Sequence, residues 1–225
     1  SWRSNQLLVR QAEIASERAN LSRYFPPTLV DELASREKPL GDVRSQPVAV
    51  LFADLVGFTR YAESRSPEEI IETLRQVHAM LEREIFGHGG TLDKYLGDGV
   101  METYGKPQTA PDDAARALAA ALAMHRSAEA WNEARAKADK PRLELSIGVH
   151  YGEVVLGDIG TERRLEFATL GDTVNVASRL EAATRQIDKR LAVSDAVIAN
   201  IADEKERERL TETMTRLAGL NIRGR

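Results

Sequence analysis

Two aspartates sit where their surroundings would let them do chemistry. Asp54 follows the apolar run Val48-Ala49-Val50-Leu51-Phe52 and precedes Gly57-Phe58-Thr59, within the stretch VAVLFADLVGFTR. A run of this kind suits a strand buried on both faces, which would put the carboxylate at the strand's mouth. Asp98 lies between Gly97 and Gly99 in TLDKYLGDGVMETY, where apolar and polar residues roughly alternate. That pattern predicts a β-hairpin with a tight glycine turn and Asp98 at its tip. Two acids at strand ends can share hard divalent cations, which take oxygen ligands. A neighbouring glycine lets backbone N–H groups approach a phosphate. Taken alone, the first stretch reads equally well as an ordinary buried strand with Asp54 as a solvated cap; the second acid favours the metal–phosphate reading.

Several elements must position these acids. Ser66-Pro67-Glu68-Glu69 opens a helix, with serine as cap, proline in the first turn and Glu69 closing a capping box. Ile70, Leu74, Val77, Leu81 and Ile85 then form one apolar stripe, and the glycines of 87–90 end the helix. A second, alanine-rich helix starts between Thr109 and Asp113 and runs to about Lys137. Residues 143–149 predict a strand and 153–157 its hairpin partner, followed by a polar loop at 160–164 and a short strand at 167–170. A helix from Thr173 to about Thr184, capped by Asp172, places Asn175 and Arg179 on one face. Residues 191–193 predict a last short strand, and Asp195 opens another helical stretch. The order β-α-β-β-α-β with additions predicts an α/β fold, an α+β sandwich with a ferredoxin-like core and helices on one face of a mainly antiparallel sheet.

Upstream, residues 1–23 look helical, with Leu7, Ile14 and Leu21 repeating every seven residues but polar Arg10 and Glu17 between them. This segment reads either as a helix packed on its own domain or as a dimer stalk, and its few apolar residues favour the stalk. Tyr24-Phe25-Pro26-Pro27 breaks the helix, Thr28 can cap a short second one, and 36–47 is a polar linker. The expected division is 1–41 for the helix and linker, and 42–225 for the main domain.

The chain has 225 residues, 42% of them apolar and 29% charged, enough for one sizeable domain plus an extension. A net charge of −4 supplies no bulk positive field for nucleic acid or an anionic membrane. With no cysteine, disulfides and thiolate metal sites are excluded. No apolar run approaches the roughly 20 residues that span a bilayer. A cytoplasmic location is expected, and the abrupt start at Ser1-Trp2-Arg3 leaves room for an upstream sensor or membrane anchor.

FADLVGFT, KYLGDG and a third segment, GDTVNVASRLE, occur in the order found in the class III nucleotidyl cyclases, and the chain resembles that adenylyl and guanylyl cyclase catalytic domain from about Pro47 onward. The resemblance implies cyclisation of a nucleoside triphosphate: the ribose 3′-hydroxyl attacks the α-phosphorus and pyrophosphate leaves. It implies two divalent cations, Mg2+ or Mn2+, on Asp54, Asp98 and the Leu55 carbonyl, with amides from Val56 through Gly57, Phe58 and Thr59 around the β- and γ-phosphates. Asn175 would orient the ribose and Arg179 would stabilise charge on the transferring phosphate. Arg223 matches a phosphate-binding lysine of the family, although a merely solvated basic terminus reads almost as well. Lys94 occupies the purine-reading position and favours ATP, because an ammonium can donate to adenine N1 but not to protonated guanine N1. The second purine position is Ala168, which cannot accept the adenine amino hydrogen; Thr169 beside it is expected on the opposite sheet face.

The resemblance further implies a head-to-tail homodimer with two shared active sites, Asp54 and Asp98 coming from one subunit and Lys94, Asn175 and Arg179 from the other. The expected activity is adenylate cyclase. A guanylate cyclase, or a catalytically silent nucleotide-sensing module, is the alternative. A diguanylate-cyclase or polymerase-palm relative shares the two-acid logic, but the chain lacks a GG[DE]EF-type turn. His78, His88, His125 and His150 are scattered without ligand spacing and suit surface or packing roles.

Overall fold

The computed structural model describes residues 43–161 and 164–219. The predicted N-terminal helices, the linker up to Asp42 and Arg223 lie outside the described residues.

Strand β1, Arg44–Leu55, is the middle of the sheet. Its apolar run alternates between two buried faces. Ala49, Leu51, Ala53 and Leu55 enter one hydrophobic cluster, and Val48 and Val50 enter another. Helix α1, Phe58–Glu63, and helix α2, Pro67–Gly87, follow. The predicted capping box is present: Ser66 Oγ accepts from the Glu69 N–H at 3.2 Å, and the Glu69 carboxylate accepts from the Ser66 N–H at 3.4 Å. The buried stripe of α2 is Thr73, Val77, Met80, Leu81 and Ile85. It is rotated slightly from the sequence pattern, so Ile70 and Leu74 are only half-buried.

Strands β2, Thr91–Leu96, and β3, Gly99–Tyr104, form the expected hairpin, with Gly97 at φ 71° in its turn. Helix α3, Asp113–Lys137, then crosses back to β4, Leu145–Thr161. β5, Arg164–Leu170, helix α4, Asp172–Ala183, β6, Leu191–Val193, and helices α5, Asp195–Ala199, and α6, Glu204–Thr211, complete the chain. The strand order β2-β3-β1-β4-β5 contains the ferredoxin-like arrangement, antiparallel except where β6 pairs in parallel with β4.

Three expectations are corrected. The region predicted as a hairpin at 143–157 is one strand: β1 pairs with β4 continuously from Arg44↔Leu156 to Leu55↔Leu145. Gly152, which falls between the two predicted strands, and Gly148, within the first of them, both lie inside β4. They let α4 approach β4. A Cβ on Gly148 would lie 2.2 Å from the Glu181 backbone nitrogen, and one on Gly152 would lie 2.7 Å from Thr173 Oγ1. Of the polar segment expected as a loop at 160–164, Gly160 and Thr161 instead end β4 and Arg164 opens β5. The helices also occupy both faces. α2 and α3 pack on the Leu51 side, and Ala177 of α4 joins Val48 and Val50 on the other.

Candidate active site

Asp54 stands at the C-terminal end of β1, and Asp98 in the β2–β3 turn, so the site begins where the central strand meets the hairpin tip. Their neighbouring residues pair across β1 and β3, Ala53 opposite Val100. Gly99 makes the approach possible: a Cβ there would lie 2.5 Å from the Ala53 carbonyl oxygen and 2.8 Å from Asp54 Oδ1. The Asp98 carboxyl lies close enough to act on that of Asp54. Partial burial, then the Asp98 charge and hydrogen bond, then Glu181 push the Asp54 carboxyl up to about 7, with Arg185 pulling the other way. Two hard oxygen donors held this close fit a divalent cation. The Leu55 side chain is buried in the core, so only its backbone could contribute.

The loop after β1 turns at Gly57, φ 73°, into α1. Geometry at a helix start leaves the N–H groups of Phe58 and Thr59 without acceptors inside the helix. Val56 is different, since its N–H donates to the Glu144 carbonyl at 2.8 Å. The expectation that Val56 is free for phosphate is therefore corrected.

Asn175 and Arg179 share α4, Asn175 exposed and Arg179 half-buried, and neither bonds to Asp54 or Asp98. Gly171, φ 140°, caps this helix without a side-chain hydrogen bond, and Asp172 lies in its first turn rather than at the cap. The same helix does reach Asp54, but through residues that sequence reasoning missed. Arg185, just beyond α4, donates to Asp54 Oδ2 at 3.3 Å and to Glu181 Oε1 at 3.0 Å. The Ser146 hydroxyl lies between the Asp54 carbonyl oxygen, at 3.1 Å, and the Glu181 carboxylate. The i,i+4 spacing of Glu181 and Arg185 was the only available signal, and it reads as a routine helix-surface pair.

Lys94 is exposed on β2, just after an irregularity in the β2–β3 register. The Asp93 side chain beside it is buried and pairs with Lys106 at 2.5 Å. Thr169 Oγ1 donates to Asp93 Oδ2 at 2.9 Å and accepts from Lys106 Nζ at 3.2 Å. Ala168 and Thr169 point to opposite sheet faces by strand alternation. The β5 side chain that reaches β2 is Thr169, at Asp93. Three histidines have packing roles: His78 bonds the Gly97 carbonyl, His88 the Glu84 carbonyl and His150 the Ser194 hydroxyl. Among the described residues, no three His, Cys, Asp or Glu side chains cluster as a ligand set, and no helix is long and apolar enough to cross a membrane.

Residues 42–222 match the family model described as "Adenylate and Guanylate cyclase catalytic domain". The chain is 34% identical over 158 residues to Adenylate cyclase 1 of Rhizobium meliloti (strain 1021), covering 70% of this chain and 24% of that protein. It is 30% identical over 190 residues to Adenylate cyclase of Anabaena cylindrica, covering 81% and 37% respectively. The chain thus spans only about a quarter to a third of the length of these curated relatives. Among solved structures, the guanylyl cyclase Cya2 aligns with TM-score 0.65 at 32% identity, over 73% of this chain and 81% of that one. With the two juxtaposed acids, the β2–β3 hairpin and the α4 motif in one ferredoxin-like frame, this match places the chain in the adenylate and guanylate cyclase catalytic-domain family.

Proposed function

We propose that this domain is an adenylate cyclase, converting ATP to 3′,5′-cyclic AMP and pyrophosphate at sites shared by two copies of the chain. The observation that carries the reading is the meeting of Asp54 with Asp98 while Asn175 and Arg179 stay clear of them. In the reaction the 3′-oxygen bonds to the α-phosphorus, the bond to pyrophosphate breaks and one proton is released. Asp54, Asp98 and the Leu55 carbonyl would hold two divalent cations, Mg2+ or Mn2+, which would acidify the hydroxyl and neutralise the triphosphate. The Gly57, Phe58 and Thr59 backbone binds the terminal phosphates. Asn175 fixes the ribose, and Arg179 meets the charge that grows on the phosphate oxygens. Arg223 supplies a further cation for the triphosphate.

Two observations support a homodimer. The acids and the α4 pair do not touch within one chain. Val155, Ile159 and Leu170 also leave apolar surface exposed along the β4–β5 arm, at 40%, 45% and 49%. Residues 1–41 then serve as a stalk through which an upstream sensor or membrane domain would rotate one subunit against the other. Lys94 favours ATP, and two adenylate cyclase relatives agree with it. A guanylate cyclase is the second reading, supported by Ala168 at the other purine position and by the likeness to a guanylyl cyclase structure.

The decisive experiment mixes Asp54→Ala protein with Arg179→Ala protein, each inactive alone. Random pairing of equal amounts leaves one intact composite site in half of the dimers, so about a quarter of wild-type activity should return. No recovery would reject shared sites, and full activity of Asp54→Ala alone would reject the metal assignment. The same assay run with ATP against GTP separates the two purine readings.

A further inference from the structure

The motif that carries Asn175 and Arg179 runs on to two charged residues with no assigned part in the reaction, Glu181 and Arg185. Glu181 is buried, 8% exposed, beneath the start of β4, where the Ser146 hydroxyl holds its carboxylate. Arg185 is anchored on Glu181 Oε1 at 3.0 Å, and from there its guanidinium reaches Asp54 Oδ2 at 3.3 Å. The other oxygen of that carboxylate, Oδ1, faces Gly99 at the root of the hairpin that carries Asp98. Arg185 thus bridges Glu181 and Asp54, and among the described residues it is the cation bonded to the Asp54 carboxylate.

We propose that Arg185 is a built-in counter-ion that competes with the divalent cation for Asp54 and so sets the cation concentration the site requires. This rests on the reading of Asp54 and Asp98 as metal ligands. The arginine side chain is 44% exposed, so its bond to Asp54 alone is weak and easily given up. The buried Glu181 keeps it from drifting away. A doubly charged ion arriving between Asp54 and Asp98 must take over an oxygen that the guanidinium holds, and then sits close to a fixed positive charge. Removing that charge should therefore tighten cation binding, whereas a group that merely oriented Asp54 would weaken binding when lost.

The test titrates the full chain with Mn2+ in the absence of nucleotide and reads free Mn2+ by electron paramagnetic resonance. Arg185→Gln should half-saturate at a Mn2+ concentration roughly five- to thirty-fold below wild type, as expected for one unit charge several ångströms from a divalent ion near the surface. Arg185→Lys, which keeps the charge, should stay near wild type. Thermal unfolding should show both variants folded at the temperature of the titration. Equal or weaker Mn2+ binding by Arg185→Gln overturns the proposal. Asp54→Ala serves as the control for the underlying reading. If it binds Mn2+ as wild type does, or if neither wild type nor Arg185→Gln takes up Mn2+, the metal assignment itself fails.

Discussion

Thr169 donates a hydrogen bond to Asp93 at 2.9 Å, although their strands, β5 and β2, stand at opposite ends of the strand order. The sheet is curved enough for its two edges to meet on the face of Val48 and Val50. Lys106 seals the junction, with its ammonium on Asp93 and over the Phe167 ring at 4.7 Å. Both side chains of the ion pair are 5% exposed. Breaking such a pair by removing one partner leaves an uncompensated charge. Lys106→Met should cost about 3–5 kcal/mol in urea denaturation, and Asp93→Asn combined with Lys106→Met should recover part of that loss. A Lys106→Met protein as stable as wild type would show that the pair does not hold the edges together.

Gly148 is where α4 rests on β4. A methyl group there would meet the Ala177 carbonyl oxygen at 2.5 Å as well as the Glu181 nitrogen, both of them backbone. Flexible side chains cannot relieve this contact, so the helix must shift. Gly148→Ala should destabilise the domain by at least the ~1–3 kcal/mol typical of overpacking. Cyclase activity should fall further than stability does, because Asn175, Arg179 and Glu181 all ride on that helix. Parallel measurement of melting temperature and kcat tests this.

Glu102 is fully buried on β3, accepts a hydrogen bond from Tyr104 at 3.1 Å and leaves its second carboxylate oxygen unpaired. Burial holds its carboxyl well above the usual range, so the fold favours the protonated form. In the unfolded chain it ionises near its ordinary value of about 4.3. The folded state thus binds the extra proton, and the stability this group contributes is complete below that value and declines as pH rises above it. Glu102→Gln should remove the decline: the melting temperature of the variant relative to wild type should increase from pH 5 to pH 8. A difference that stays constant with pH would show that Glu102 is ionised in the fold.

Lys94 is exposed on β2. In the function proposed above, replacing it by glutamate exchanges a donor for an acceptor at the purine edge. Lys94→Glu should lower kcat/KM for ATP by at least about ten-fold, since a buried polar group left unpaired costs about 1–3 kcal/mol. GTP turnover should rise relative to ATP. An unchanged ATP:GTP ratio would remove Lys94 from purine selection.

Local chemistry determined much of this protein in advance. The β1 run, the capping box at Ser66, the Gly97-Asp98-Gly99 turn and the family motifs were all legible in the sequence, because each depends on neighbours within a few residues. Tertiary structure alone decided what Gly148 and Gly152 are for. In sequence Gly152 falls between two predicted strands and Gly148 within the first; in the fold both are the flat part of one long strand on which a helix lies. It also decided that Asp54 is shared by Asp98, Glu181 and Arg185, and that Thr169 meets Asp93. Those partners lie tens of residues apart along the chain. Only sheet curvature and the seating of α4 set their distances, and no short-range pattern encodes either.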